Sequence, residues 1–183
     1  YVSGNPLRRT DPTGHADWCP IDPANQSQQG LCPATGETAA WETYLKEQLR
    51  LSALGREMLD KDPSMFDRIA WDWSSLVGDR AISWPGRDVA GGKAYVISLN
   101  AALRDSFRNL KSLDVDKIGL IGHEIFHVFQ RRQDKSRDGV FTTKNMEREA
   151  YVAGEAFASS AAQQRIWWTP KFGQEKGRFS GRV

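Results

Sequence analysis

Histidine and cysteine are scarce in this sequence. Its 183 residues include three histidines and two cysteines. No apolar stretch approaches the roughly 20 residues that a bilayer-spanning helix needs, so no membrane span is expected. Basic runs are missing too: 25 Lys and Arg face 23 Asp and Glu, a formal net charge of +2. That balance argues against a nucleic-acid or anionic-surface binder, which gathers one sign of charge on one face. The first residues lack the charged-then-apolar layout of a secretory signal. No internal repeat is found. What remains, 39% hydrophobic and 26% charged residues, is ordinary for a soluble globular chain, and the length suits one domain.

The cysteines, Cys19 and Cys32, lie in a segment rich in Pro, Gly, Asn and Gln. A disulfide between them would stabilise the loop by roughly 3 kcal/mol in the chain-entropy model. Two cysteines alone do not decide between a bridge and two thiols. No CxxC and no adjacent histidine makes the pair a metal site.

Along the chain, residues 1–36 are dense in turn formers and carry no period, so they read as irregular. From Glu37 to Leu59 the spacing predicts a helix with Trp41, Tyr44, Leu45, Leu49 and Met58 mostly on one side and Glu42 and Lys46 as a supportive i,i+4 pair. "DKDP" at 60–63 should stop it. Residues 64–77 read as a second short helix, rich in bulky side chains. "KAYVISLN" at 93–100 is the best strand, with "DRAISW" at 79–84 as its partner. A short helix is expected at 101–110 and a longer one from Asp114 to Gln133. A loop at 134–143 and a last helix from Lys144 to Ile166 follow, and then a tail with Trp167, Trp168 and Pro170. The seven tryptophans are expected mainly to pack. The fold class is therefore α+β, mostly helical with a small sheet.

Chemistry concentrates in "KIGLIGHEIFHVFQRRQ", residues 117–133. In a helix the i and i+4 side chains stack on one face, so His123 and His127 can aim both imidazoles at one ion. Ile118, Ile121, Ile125 and Phe129 form the apolar face. Glu124 would lie beside the metal and take a proton from a water there, which is the logic of His-Glu-x-x-His hydrolytic sites. Such a pattern arises by chance in roughly one chain in a hundred of this size, and then the histidines are ordinary helix residues. Zinc is nonetheless the expected cofactor, because the motif sits on an amphipathic helix and uses nearly all the histidine.

Hydrolytic zinc usually takes three protein ligands and keeps one position for water. The remaining histidine, His15, lies in the irregular N-terminal segment, and both cysteines are far upstream. The third ligand should thus be a carboxylate from "NMEREAYVAGEAFA". Glu149 is the first choice and Glu147 the second; two residues apart on a helix, they point about 160–200° away from each other. Glu155 ranks third, or orients a ligand histidine from behind. Tyr95, Tyr151 and Arg148 are candidate donors to a developing oxyanion.

"HEIFH" followed some 20 residues later by "EREA" resembles the gluzincin class of zinc metallopeptidases. The resemblance implies a zincin-like fold and a ligand glutamate followed by Ala, which favours Glu149. "HExxHxxQ", reaching Gln130, is closer still to small bacterial toxin-type zincins. "KAYVISLN" would be the edge strand that backs the substrate. One departure is that the class's second-shell Asp falls on Ala153.

At the other end, "YVSGNPLRRTDPTGH" contains two turns, at 4–6 and 11–14. Its Y-x-x-x-NPL-x-x-x-DPxG spacing resembles the end of the Rhs (YD-repeat) core of bacterial polymorphic toxins, with Asp11 as the DPxG aspartate. That resemblance implies residues 1–15 as a core remnant, 16–36 as a linker and 37–183 as the metallopeptidase domain. It further implies encapsulation by the core, a secreted effector delivered into the cytoplasm of a target cell, a protein substrate and a cognate immunity protein. Two other functions compete: a non-catalytic adaptor with a structural metal, and a metal-dependent hydrolase of a non-peptide amide or of cell wall.

Overall fold

A break at Ser52 divides the first helical segment in two. In this computed structural model, α1 (Gly36–Arg50) and α2 (Ala53–Lys61) replace the single helix expected over 37–59. Ser52 is extended and its Oγ accepts from Gly55 N at 2.8 Å, capping α2. The chain turns so tightly here that a Cβ on Gly55 would lie 1.9 Å from Leu49 O. The structure describes residues 18–20, 29–31, 36–74, 81–89, 92–100, 115–137 and 142–178. Residues 1–17, Cys32, the helix expected at 101–110 and most of the 134–143 loop's second half lie outside them.

Within the segment expected to be irregular, β1 (Trp18–Pro20) and β2 (Gln29–Leu31) pair as an antiparallel hairpin. The larger correction is at 64–77. A single turn of 3₁₀ helix, Phe66–Arg68, leads into β3 (Ile69–Ser74), where a helix had been expected. Ile69, Trp71 and Trp73 alternate with Ala70, Asp72 and Ser74. Asp72 is exposed while Ile69 and Trp71 are buried, so the strand carries a period of two that its bulky side chains obscure. It runs parallel to β6 (Gly92–Asn100), pairing Ile69 with Tyr95 and Trp71 with Ile97. On the other side of β6 lie β4 (Ala81–Ser83) and β5 (Arg87–Val89), both antiparallel to it.

β6 is therefore a central strand, with β3 as one edge of the sheet and 81–89 as the other. Along that edge, Trp84–Gly86 stand against only Tyr95 and Val96 of β6. The extra residue makes a bulge that accommodates Pro85.

The remaining helices are α3 (Val115–Gln133) and α4 (Lys144–Arg178), the latter extending through the expected tail. One face of the sheet, with Trp71, Tyr95, Ile97 and Leu99, packs on the helices. It meets Trp41, Leu45 and Leu49 of α1, Met58 of α2, Ile118, Ile121, Ile125 and Val128 of α3, and Phe157 of α4. Trp41 and Trp71 meet edge to face with centroids 5.6 Å apart. Glu42 is buried and accepts from Trp71 Nε1 at 2.9 Å, with the charge of Lys46 also acting on it. The result is an α+β fold, mostly helical. Among the described residues no helix is long and apolar enough to cross a membrane.

Candidate metal centre

α3 and α4 approach at glycines. A Cβ on Gly154 would sit 2.8 Å from Gly119 O, and one on Gly122 would sit 2.3 Å from Phe157 Cδ2. Larger residues would force the helices apart. This contact brings the first turn of α4 over the histidines of α3.

Three groups converge there. His123 Nε2 and His127 Nε2 are 3.1 Å apart. Glu147 places Oε2 3.2 Å from His123 Nε2 and Oε1 3.5 Å from His127 Nε2. Among the described residues, His123, His127 and Glu147 form the one metal-capable cluster. Glu149 points elsewhere: its Oε2 accepts from Arg137 Nη1 at 2.9 Å and from Gln130 Nε2 at 2.7 Å. The structure thus brings the second-choice carboxylate to the histidines and turns the first choice away. Glu155 is exposed, and no hydrogen bond or ion pair joins it to either histidine among the described residues.

Hydrogen bonds behind the rings orient both imidazoles and, for His127, fix which nitrogen carries the proton. Gln130 donates through Nε2 to Glu149 and, at 3.2 Å, to Met146 O. Its Oε1 must therefore be the atom 2.9 Å from His127 Nδ1, and Nδ1 must be the N–H. His123 is held by a backbone hydrogen bond to Ala150. His127 Nε2 is therefore a lone pair, and His123 Nε2 faces it at 3.1 Å within hydrogen-bond reach of the Glu147 carboxylate. Protonating a ring is disfavoured, because burial, above all, holds both histidines below the usual pKa.

A cation satisfies such a set. Tetrahedral zinc with bonds near 2.05 Å separates neighbouring ligand atoms by about 3.3 Å, close to the spacings seen here. The donor set therefore fits zinc.

Glu124 occupies the wall beside this cluster, with Oε1 4.0 Å from His123 Nε2. Its Oε2 accepts the Ser83 backbone N–H at 2.7 Å. Trp84 N bonds inward to Val96 O at 2.8 Å, so by the alternation of an antiparallel ladder the Ser83 N–H faces outward, toward α3. Burial pushes the Glu124 carboxyl up to about 7; the Ser83 hydrogen bonds oppose this, the negative Glu147 adds to it and the positive Arg131 subtracts. A base in that range suits proton transfer at neutral pH.

Ser83 and Arg131 belong to no motif in the sequence. Arg131 is 1% exposed and donates through Nη1 to Ser83 Oγ at 3.0 Å. Glu124 and Arg131, seven apart on α3, together clamp the edge strand against the helix. Two turns of one face was the available signal. Of the suggested oxyanion donors, Tyr95 lies in the core, while Arg148 and Tyr151 are exposed on α4.

No protein-family model, curated protein or solved structure matches the chain.

Proposed function

We propose that this chain is a zinc-dependent metallopeptidase with His123, His127 and Glu147 as metal ligands and Glu124 as general base. One observation carries the reading: two imidazole Nε2 atoms and a carboxylate converge at spacings that suit zinc ligands, and a buried carboxylate stands beside them. Zinc, when bound, would supply Lewis acidity, polarising a carbonyl and acidifying water. Glu124, held by Ser83 N–H, takes up a proton and returns it to the leaving amine. Gln130 and Ala150 keep the imidazoles facing the ligand site.

Two features favour catalysis over a structural metal. Among the described residues only three groups converge, which leaves a fourth position free, as catalytic zinc requires. The Glu147 side chain is 53% exposed, so the cluster reaches solvent. In this reading the fold is zincin-like, with 81–84 in place of 93–100 as the strand beside the site. The motif resemblances extend the proposal to an effector of the Rhs toxin type, acting on target-cell proteins and neutralised by an immunity protein.

Glu124→Gln, assayed on unfolded casein, tests the mechanism. The variant should retain zinc and lose at least 100-fold in hydrolysis, the lower range for a general base. Wild-type proteolysis by that variant would exclude Glu124 from the chemistry.

A further inference from the structure

Glu149 has no place in the ligand set, yet it is tied to it through one side chain. The chain of contacts runs from Arg137 Nη1 to Glu149 Oε2 at 2.9 Å, and from Gln130 Nε2 to the same oxygen at 2.7 Å. It ends with Gln130 Oε1 at 2.9 Å from His127 Nδ1. Arg137 is itself placed by Asp134, with Nε 3.2 Å from Oδ2. An amide can present its oxygen to one neighbour only by presenting its nitrogen to another. Glu149, as an acceptor with no proton to give, prevents Gln130 from turning over.

We infer that Glu149 is a positioning residue: acting through Gln130, it locks His127 as the Nδ1–H tautomer and keeps Nε2 free for metal. The consequence for zinc rests on the metallopeptidase reading; the tautomer itself does not. The arrangement also links the end of α3 to the first turn of α4. The same contacts that orient His127 therefore hold that turn, where Glu147 sits, in register. Removing Gln130 should release His127 to the Nε2–H form, in which Nε2 donates to Glu147 and no longer accepts a metal, and removing Glu149 should do so in part.

The full chain, labelled with ¹⁵N-histidine, offers two readouts. Its three histidines keep the imidazole spectra assignable. In metal-free protein, His127 should be the Nδ1–H tautomer in the wild type and in Glu149→Gln, whose amide oxygen still accepts from Gln130. It should shift to Nε2–H in Gln130→Met, and partly so in Glu149→Ala, where Met146 O still holds the amide. Zinc affinity, measured by chelator competition, should fall roughly 100-fold in Gln130→Met and roughly 10-fold in Glu149→Ala, and stay within about 3-fold in Glu149→Gln.

Glu149 lies at the surface, so its variants do not depend on a refolded core. An unchanged tautomer in both Gln130→Met and Glu149→Ala overturns the inference. Outright loss of zinc in Glu149→Ala and Glu149→Gln also overturns it, because Glu149 would then be a ligand. If the wild type binds no zinc, the metallopeptidase reading fails, and the tautomer alone decides the positioning role.

Discussion

Two glutamates, 147 and 149, show how much a single residue's role depends on helix phase. They are about 200° apart around α4, and only one can face α3. Ala150 and Gly154, small and buried, mark the contacting face, and Glu147 precedes them by three and seven residues. That i, i+3, i+7 line was present in the sequence; the motif likeness of "EREA" pointed to Glu149 instead. The histidines and Glu124 were legible because their spacing alone puts them together on α3. Gln130 was noticed only as part of a motif, and its part in orienting His127 needed the position of Met146 O.

Ser83 and Arg131 could not be read from the sequence, since their meeting joins residues 48 apart. Ser83→Ala keeps the backbone donor to Glu124 and removes one hydrogen bond from a buried cation. The expected cost is about 1.5–3 kcal/mol in urea unfolding, with metal content unchanged. A loss under about 0.5 kcal/mol would mean that Arg131 does not depend on that hydroxyl.

Among the elements, the α3–α4 pair sets the site. Gly154→Ala would drive a methyl into the Gly119 carbonyl, at a cost of about 1–3 kcal/mol for overpacking. Because the helices must part, zinc affinity should fall as well. Val152→Ala, on an exposed position of the same helix, should change neither. Equal effects of the two substitutions on metal binding would mean that the close approach does not place Glu147. The long helices were legible because their 3.6-residue periods are sustained. β3 was not: Ile69, Trp71 and Trp73 alternate with Ala70, Asp72 and Ser74, but a run of six residues is short enough to pass for a helix turn until its partner β6 is known.

The α1–β3 contact carries a pH signature. Burial, the largest influence, raises the Glu42 carboxyl above its ordinary 4.5, although the bond from Trp71 and the charge of Lys46 oppose it. Folded protein then keeps a proton that the unfolded chain has released. This contribution to stability is fully present below about 4.5 and is lost as pH rises through the folded value. Glu42→Gln keeps an acceptor for Trp71 Nε1. Its stability relative to wild type should therefore improve from pH 4 to pH 7, as followed by thermal unfolding. A pH-independent difference would show that Glu42 does not titrate abnormally.

For the whole molecule, the class α+β, the helical majority and the pairing of 79–84 with 93–100 were legible. The order of strands was not, because it depends on the parallel pairing of β3 with β6, between partners more than 20 residues apart. That order matters for function: making β6 central leaves 81–89 at an edge, and it is Ser83 of that edge that meets Glu124. The most direct test of the centre is metal content by elemental analysis on wild type, His127→Ala, Glu147→Ala and Glu149→Ala, purified without chelator. One zinc per chain is expected in the wild type and in Glu149→Ala, and none in His127→Ala or Glu147→Ala. A metal-free wild type, or zinc retained by Glu147→Ala and lost from Glu149→Ala, would contradict the site proposed.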